Sequence, residues 1–221
     1  GTSTHGHISG YVGDIVSPHT ETFWNVDAFN PTYNADFSLS GPVPGTGEHV
    51  TYFTSGRFYD TKGHIYGKQV FLPSDSSNFP SNDVRDWMIE SRGRTFRFNS
   101  QEEFDHIQDS IRTAAPYKAM NPSRRLSGQL KLTYRLSGSH KLDYEGLIQH
   151  QKYKDYDHRF RYNPDGDFWR YQLGWNNSLS WTHVLSNSTF WTLKLARFYS
   201  DYKQYVYADP GDSRYENPDL L

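Results

Sequence analysis

Residues 126–136 read Leu-Ser-Gly-Gln-Leu-Lys-Leu-Thr-Tyr-Arg-Leu. Leu126, Gly128, Leu130, Leu132, Tyr134 and Leu136 alternate without a slip against Ser127, Gln129, Lys131, Thr133 and Arg135. A period of two sends successive side chains to opposite faces of a strand, so the segment predicts a strand with one apolar and one polar face. After Ser137-Gly138-Ser139 the alternation resumes, with Leu142, Tyr144, Gly146 and Ile148 set against Asp143, Glu145 and Gln149, and Leu147 as its one exception. The pair predicts a hairpin whose two faces meet different solvents.

Outward from this hairpin the same pattern recurs. Strands are expected near residues 5–16, 33–41, 49–59, 125–136, 141–152, 170–185 and 189–202. Between the third and fourth lies a long insertion, residues 60–122, without regular strand signal. Within it Ser100-Gln101-Glu102-Glu103 has the form of a capping box, followed by Phe104, Ile107 and Ile111 at helical spacing, which predicts a short amphipathic helix.

Composition narrows the classes. The 221 residues carry a formal net charge of −2, with no Cys, and a mean hydropathy of −0.84. No basic run is interleaved with aromatics, so nucleic acid is not an expected partner. No stretch approaches the roughly 18 apolar residues of a membrane helix. The absence of Cys excludes disulfides and thiolate chemistry. Yet aromatic residues make up 17% of a chain that is only 35% hydrophobic. Such a chain fits a secreted all-β binder, or an outer-membrane barrel whose apolar band is one residue deep.

The connections decide between them. Those near 42–47, 137–140 and 186–188 are short, while 17–32, 60–122 and 153–168 are long and rich in Tyr, Asp, Asn and Pro. In an antiparallel meander every second connection lies at the same end, so short turns collect at one end and long loops at the other, as in outer-membrane barrels. Tyr52, Tyr134, Tyr144, Trp181 and Trp191 share the apolar parity beside the short turns, where a membrane-interface girdle belongs. The fold expected is all-β: an antiparallel meander of about seven strands forming part of a transmembrane barrel, with long outer loops and a short helix in one of them. Asn177 and Arg197 fall on the lipid parity away from the short turns. Either Arg197 reaches the outer interface, or a β-bulge after Leu195 flips the phase.

Leu39-Ser40-Gly41-Pro42-Val43-Pro44, residues 126–136, the run from Tyr153-Lys154-Asp155-Tyr156-Asp157-His158 to Asn163-Pro164-Asp165-Gly166, and residues 190–207 resemble the TonB-dependent outer-membrane receptors. The resemblance implies a barrel of about 22 strands around an amino-terminal plug. It also implies ligand bound at the outer mouth, and import of a large nutrient of the ferric siderophore, cobalamin or oligosaccharide class, powered through a TonB complex. Seven strands then represent the start of the barrel, with the plug and the TonB-interacting segment preceding Gly1. Two alternatives remain: a passive porin-like barrel, and a secreted carbohydrate-binding or adhesive β-domain that buries both sheet faces.

Candidate site residues follow from parity and loop position. Lys131, Arg135, Asp143, Glu145 and Lys194 face the lumen and plug. Asp143 and Glu145 share a face as an acid pair would, but no nucleophile accompanies them, so no catalytic activity and no cofactor is expected. The loop aromatics Phe23, Trp24, Trp87, Tyr117, Phe168 and Trp169 are the candidates for ligand contact, because a sugar or chelate needs flat faces beside polar groups. Asn163, Asp165 and Asp167 have the spacing of the first ligands of a calcium loop, although Pro164 and Gly166 fit a plain turn better. His5 and His7 share a strand face as a weaker metal pair.

Overall fold

The computed structural model describes residues 3–216. In chain order the elements are β1 (His5–Gly13), β2 (Thr32–Pro42), β3 (Val50–Thr61), β4 (Tyr66–Lys68), β5 (Ser76–Asn78), β6 (Met88–Ser91), β7 (Arg94–Arg97), α1 (Gln101–Ala114), β8 (Tyr117–Ala119), β9 (Ser123–Arg135), β10 (His140–Tyr153), β11 (Trp169–Ser186) and β12 (Thr189–Tyr205). Seven long strands form one sheet in the order β1-β2-β3-β9-β10-β11-β12, every neighbour antiparallel. The insertion is an excursion from this meander: it leaves at Thr61 and returns at Ser123, and those two residues pair.

Register fixes the faces. One row across all seven strands runs Ile8, Phe37, Gly56, Gly128, Ile148, Trp175, Tyr199. The adjacent row runs Ser9, Asp36, Arg57, Ser127, Gln149, Gly174, Ser200. Paired residues project to the same side, so the parity seen in each strand adds up to one apolar face and one polar face. Leu147 lies on the polar face, in one row with Asn176 and Phe198.

Among the described residues no core lies under the sheet. On the apolar face Leu126 is 57% exposed and Leu195 63% exposed, whereas the buried apolar side chains (Val26, Tyr66, Val70, Ile89, Phe98, Ala115, Met120) all lie outside the seven long strands. The loops at one end therefore carry the compact packing. The Ser100 hydroxyl accepts from the Glu103 amide, and the Glu103 carboxylate reaches back to the Asn99 amide, so α1 starts where the capping residues predict. Its Phe104 packs edge-on against Phe98 and Trp87.

Three expectations change. The insertion holds five short strands in two small sheets, β4-β8 and β5-β6-β7, each of three or four residues and too brief for a period of two to register. The first strand ends at Gly13, not near residue 16. There Asp14 turns the chain, accepting from the amides of Ile15 and Asn30 and so tying the two ends of the first loop. The bulge after Leu195 is absent, because β11 and β12 stay in register from Trp169 to Val184. Arg197 keeps the apolar parity, opposite Asn177, with its guanidinium 5.4 Å from the Trp175 ring centroid. The Tyr144 hydroxyl donates to Asn177 Oδ1 at 2.6 Å, which gives the amide oxygen a partner within an apolar surface.

The apolar row also contains a tight fit. A Cβ on Gly56 would lie 2.5 Å from the Phe37 ring, its direct cross-strand partner, so the ring covers the glycine and replaces its missing side chain. Gly56→Val is expected to cost about 1–3 kcal/mol through overpacking. In a Phe37→Ala background the same change should cost at least about 0.5 kcal/mol less. Urea unfolding of the four members of this cycle in detergent measures the coupling, and strict additivity would refute the contact.

Candidate functional site in the long-loop cap

Three connections that are distant in sequence fold together at one end of the sheet. Gly67 is the reason they approach so closely: a Cβ there would sit 2.5 Å from the Arg161 carbonyl oxygen and 2.8 Å from both Met120 Sδ and Pro164 Cγ. Around it the Lys68 amide donates to the Arg161 carbonyl and the Phe71 amide to the Tyr162 carbonyl, each at 2.9 Å. The third long loop is thus tied by its backbone to the insertion.

This junction gathers aromatic rings and cations. Trp24, from the first loop, lies 6.3 Å from Tyr117 and 6.1 Å from Tyr162 by ring centroids, tilted by 49° and 36°. Lys68, paired with Tyr117 across β4-β8, holds its ammonium 5.5 Å from that ring. Arg112, in the last turn of α1, and Arg161 approach Tyr162 at 5.8 and 4.6 Å. The nearby carboxylate of Asp165 is occupied by Lys118 at 2.5 Å and by the Gln69 amide. What remains is a basic, aromatic surface on which Tyr117 and Arg112 are exposed.

Below it lie charged groups removed from water. Lys154 is 5% exposed and Asp167 2% exposed. The Lys154 ammonium donates to the Pro164 carbonyl at 2.6 Å and lies 5.1 Å from the Trp169 ring. Asp167 Oδ1 accepts from the Phe168 amide at 2.7 Å. Burial pushes the Lys154 pKa down, opposed by the charges of Asp167 and Asp165. The same burial pushes Asp167 up, against its bond from Phe168 and the charge of Lys154.

No protein family, characterised protein or solved structure matches this chain.

The six loop aromatics do not form one surface. Trp24 and Tyr117 meet, and Tyr162 joins them. Phe23 sits 6.4 Å from His64. Trp87 is half-buried between Phe79 and Phe104, 5.0 Å from each, and serves loop packing. Phe168 is half-buried where the loop enters β11, and Trp169 pairs with Tyr205 on the apolar side, with the Lys152 ammonium 4.2 Å from its ring. Asn163, Asp165 and Asp167 also part company. Asn163 Oδ1 closes the turn on the Gly166 amide, Asp165 turns to Lys118, and Asp167 turns inward. Among the described residues no cluster of three or more His, Asp or Glu is placed to hold a metal, the His5 and His7 strand included.

The sheet sorts the remaining candidates. Lys131, Arg135, Asp143, Glu145 and Lys194 share the polar face. There Thr133 and Lys141 hold Asp143 at 2.7 and 2.9 Å, and Gln129 holds Glu145 at 3.1 Å. Tyr52, Tyr134, Tyr144, Trp181 and Trp191 share the other face, with Trp181 and Trp191 edge-to-face at 4.7 Å. Nearer the long loops the same face carries Tyr33, Phe58, Trp175, Tyr199, and Tyr171 stacked on Tyr205 at 4.8 Å. The alternation carries this second aromatic rim too, but only register lines it up across strands.

Lys154 yields a pH test. Its folded pKa lies below the ordinary value of 10.5, so between the two values the unfolded chain binds more protons than the folded cap. Stability must then rise with pH across that window. Hydrogen exchange of residues 155–167, corrected for its intrinsic base catalysis, is expected to slow as pH rises toward the ordinary lysine value of 10.5 in the wild type and to lose that trend in Lys154→Met.

Proposed function

We propose that this chain is part of a TonB-dependent outer-membrane receptor that captures a large nutrient at its long-loop cap for energy-coupled import. The observation that carries the reading is the uncovered apolar face of seven paired strands, rimmed at both ends by aromatic residues, while among the described residues the compact apolar packing lies outside the sheet. A soluble seven-stranded sheet would be expected to bury that face, since contiguous exposed apolar patches of this extent mark a contact surface. On β12 the rims are Trp191 and Tyr199, eight residues apart (199 − 191). At about 3.4 Å per residue that is about 27 Å along the strand, or about 21 Å of height at a tilt near 40°, close to the roughly 25 Å apolar band of an outer-membrane barrel.

In this reading lipid meets the apolar face, and a plug domain meets Lys131, Arg135, Asp143, Glu145 and Lys194 in the lumen. The cap closes the extracellular end. A folded cap with converging aromatic and charged groups favours a receptor over a passive pore, since an open channel needs no such recognition surface. The resemblance along residues 39–44 and 153–166 points the same way.

Leu195 lies midway between the two rims. Leu195→Arg is expected to cost about 2–4 kcal/mol of stability in a bilayer. Lys194→Leu, on the neighbouring polar face, should stay within about 1 kcal/mol. Single-tryptophan variants in vesicles of brominated lipid provide the direct test: Trp181 and Trp191 should be quenched and Trp87 should not. A water-soluble monomer with all three unquenched would remove the membrane assignment. Uptake that survives collapse of the proton gradient would replace the receptor with the porin-like alternative.

A further inference from the structure

We infer that the cap surface of Trp24, Tyr117 and Tyr162, with Lys68, Arg112 and Arg161, binds an acidic oligosaccharide, a chain of sugar rings bearing carboxylates. The inference rests on the receptor reading and names its ligand class. Three observations support it. The surface carries three cations over two rings, Lys68 at Tyr117 and both Arg112 and Arg161 at Tyr162, and the carboxylate of Asp165 is already paired with Lys118, so the local charge favours an anion. Arginine matches a carboxylate with a planar pair of donors, and Arg112 is exposed in the last turn of α1.

The third observation is the geometry of the rings. Trp24 is tilted by 49° and 36° to its two neighbours, so there is no parallel slot to clasp a flat aromatic acid. Tilted faces about 6 Å apart suit puckered pyranose rings, each laying its apolar C–H face on one aromatic and turning its carboxylate to a cation. The cations come from β4, from α1 and from the third loop: Arg112 and Arg161 meet at Tyr162 and Lys68 lies at Tyr117, both rings beside Trp24, so carboxylates on neighbouring sugars have two places to pair.

The test uses the full chain in detergent, titrated calorimetrically with an oligogalacturonide and with the same oligosaccharide after reduction of its carboxyl groups. The acidic form is expected to bind, more weakly as salt rises, and at least about tenfold more tightly than the reduced form. Arg112→Gln should weaken the acidic form about tenfold and leave the reduced form unchanged, while Arg112→Lys recovers part of the loss. Tyr162→Leu should weaken both forms. Proteolytic resistance of the cap identifies any variant that has merely unfolded. Equal affinity for the two forms, no binding of either, or an Arg112→Gln variant with wild-type affinity would overturn the inference. So would preferential binding of a catechol-bearing acid. Quenching of Trp191 by brominated lipid is read in parallel. Quenching without oligosaccharide binding overturns the ligand class alone, and binding without quenching upholds the ligand class while removing transport.

Discussion

The structure depends on continuous antiparallel register across seven strands. Each backbone hydrogen bond in those strands aligns a residue with a partner of the same parity, so a slip of one residue anywhere would send that strand's leucines to the polar side. Because register holds from β1 to β12, local alternation becomes two continuous surfaces of opposite character. The sheet has no apolar core of its own and is held by its ladder, by cross-strand pairs such as Trp181–Trp191 and Tyr171–Tyr205, and by whatever covers its apolar face.

The polar exceptions on that face show how it accommodates side chains that an apolar surface would otherwise leave without partners. Asn177 takes the Tyr144 hydroxyl, and Arg197 lies against the face of Trp175, where a cation is attracted to the ring. Gly146 makes the first of these possible, since a Cβ there would come within 3.0 Å of the Tyr144 oxygen. An aromatic neighbour thus does for Asn177 and Arg197 what it does for Gly56, closing a local gap without a core.

The long strands were legible because each is long enough for a period of two to register despite exceptions such as Leu147 and Phe53, and so was α1, whose cap and apolar spacing are local. The parity of Lys131, Asp143, Glu145 and Lys194 followed from the same signal. The five short strands of the insertion were hidden by their length. The cap site was half legible: Trp24 and Tyr117 stood out as loop aromatics, but their meeting with Tyr162 depends on Gly67 and on backbone bonds between segments some 90 residues apart (161 − 68 = 93), which leave no local pattern. Arg161 beside Tyr162, next to the Asn163-Pro164-Asp165-Gly166 turn, was the available sign. Lys154 gave none, since a lysine in the polar run Gln151-Lys152-Tyr153-Lys154-Asp155 reads as surface until the Pro164 carbonyl is seen to fold over it.

The backbone ties at Gly67 determine what this protein can exchange as it diversifies. Replacing the third loop alone would strip the Lys68 and Phe71 amides of their acceptors and leave the notch at Gly67 unfilled. Replacing the insertion alone would orphan the carbonyls of Arg161 and Tyr162. The cap is therefore one unit spread over two distant stretches of sequence, and its surface chemistry is far more readily altered through exposed side chains such as Arg112 and Tyr117 than through the transplant of a single loop.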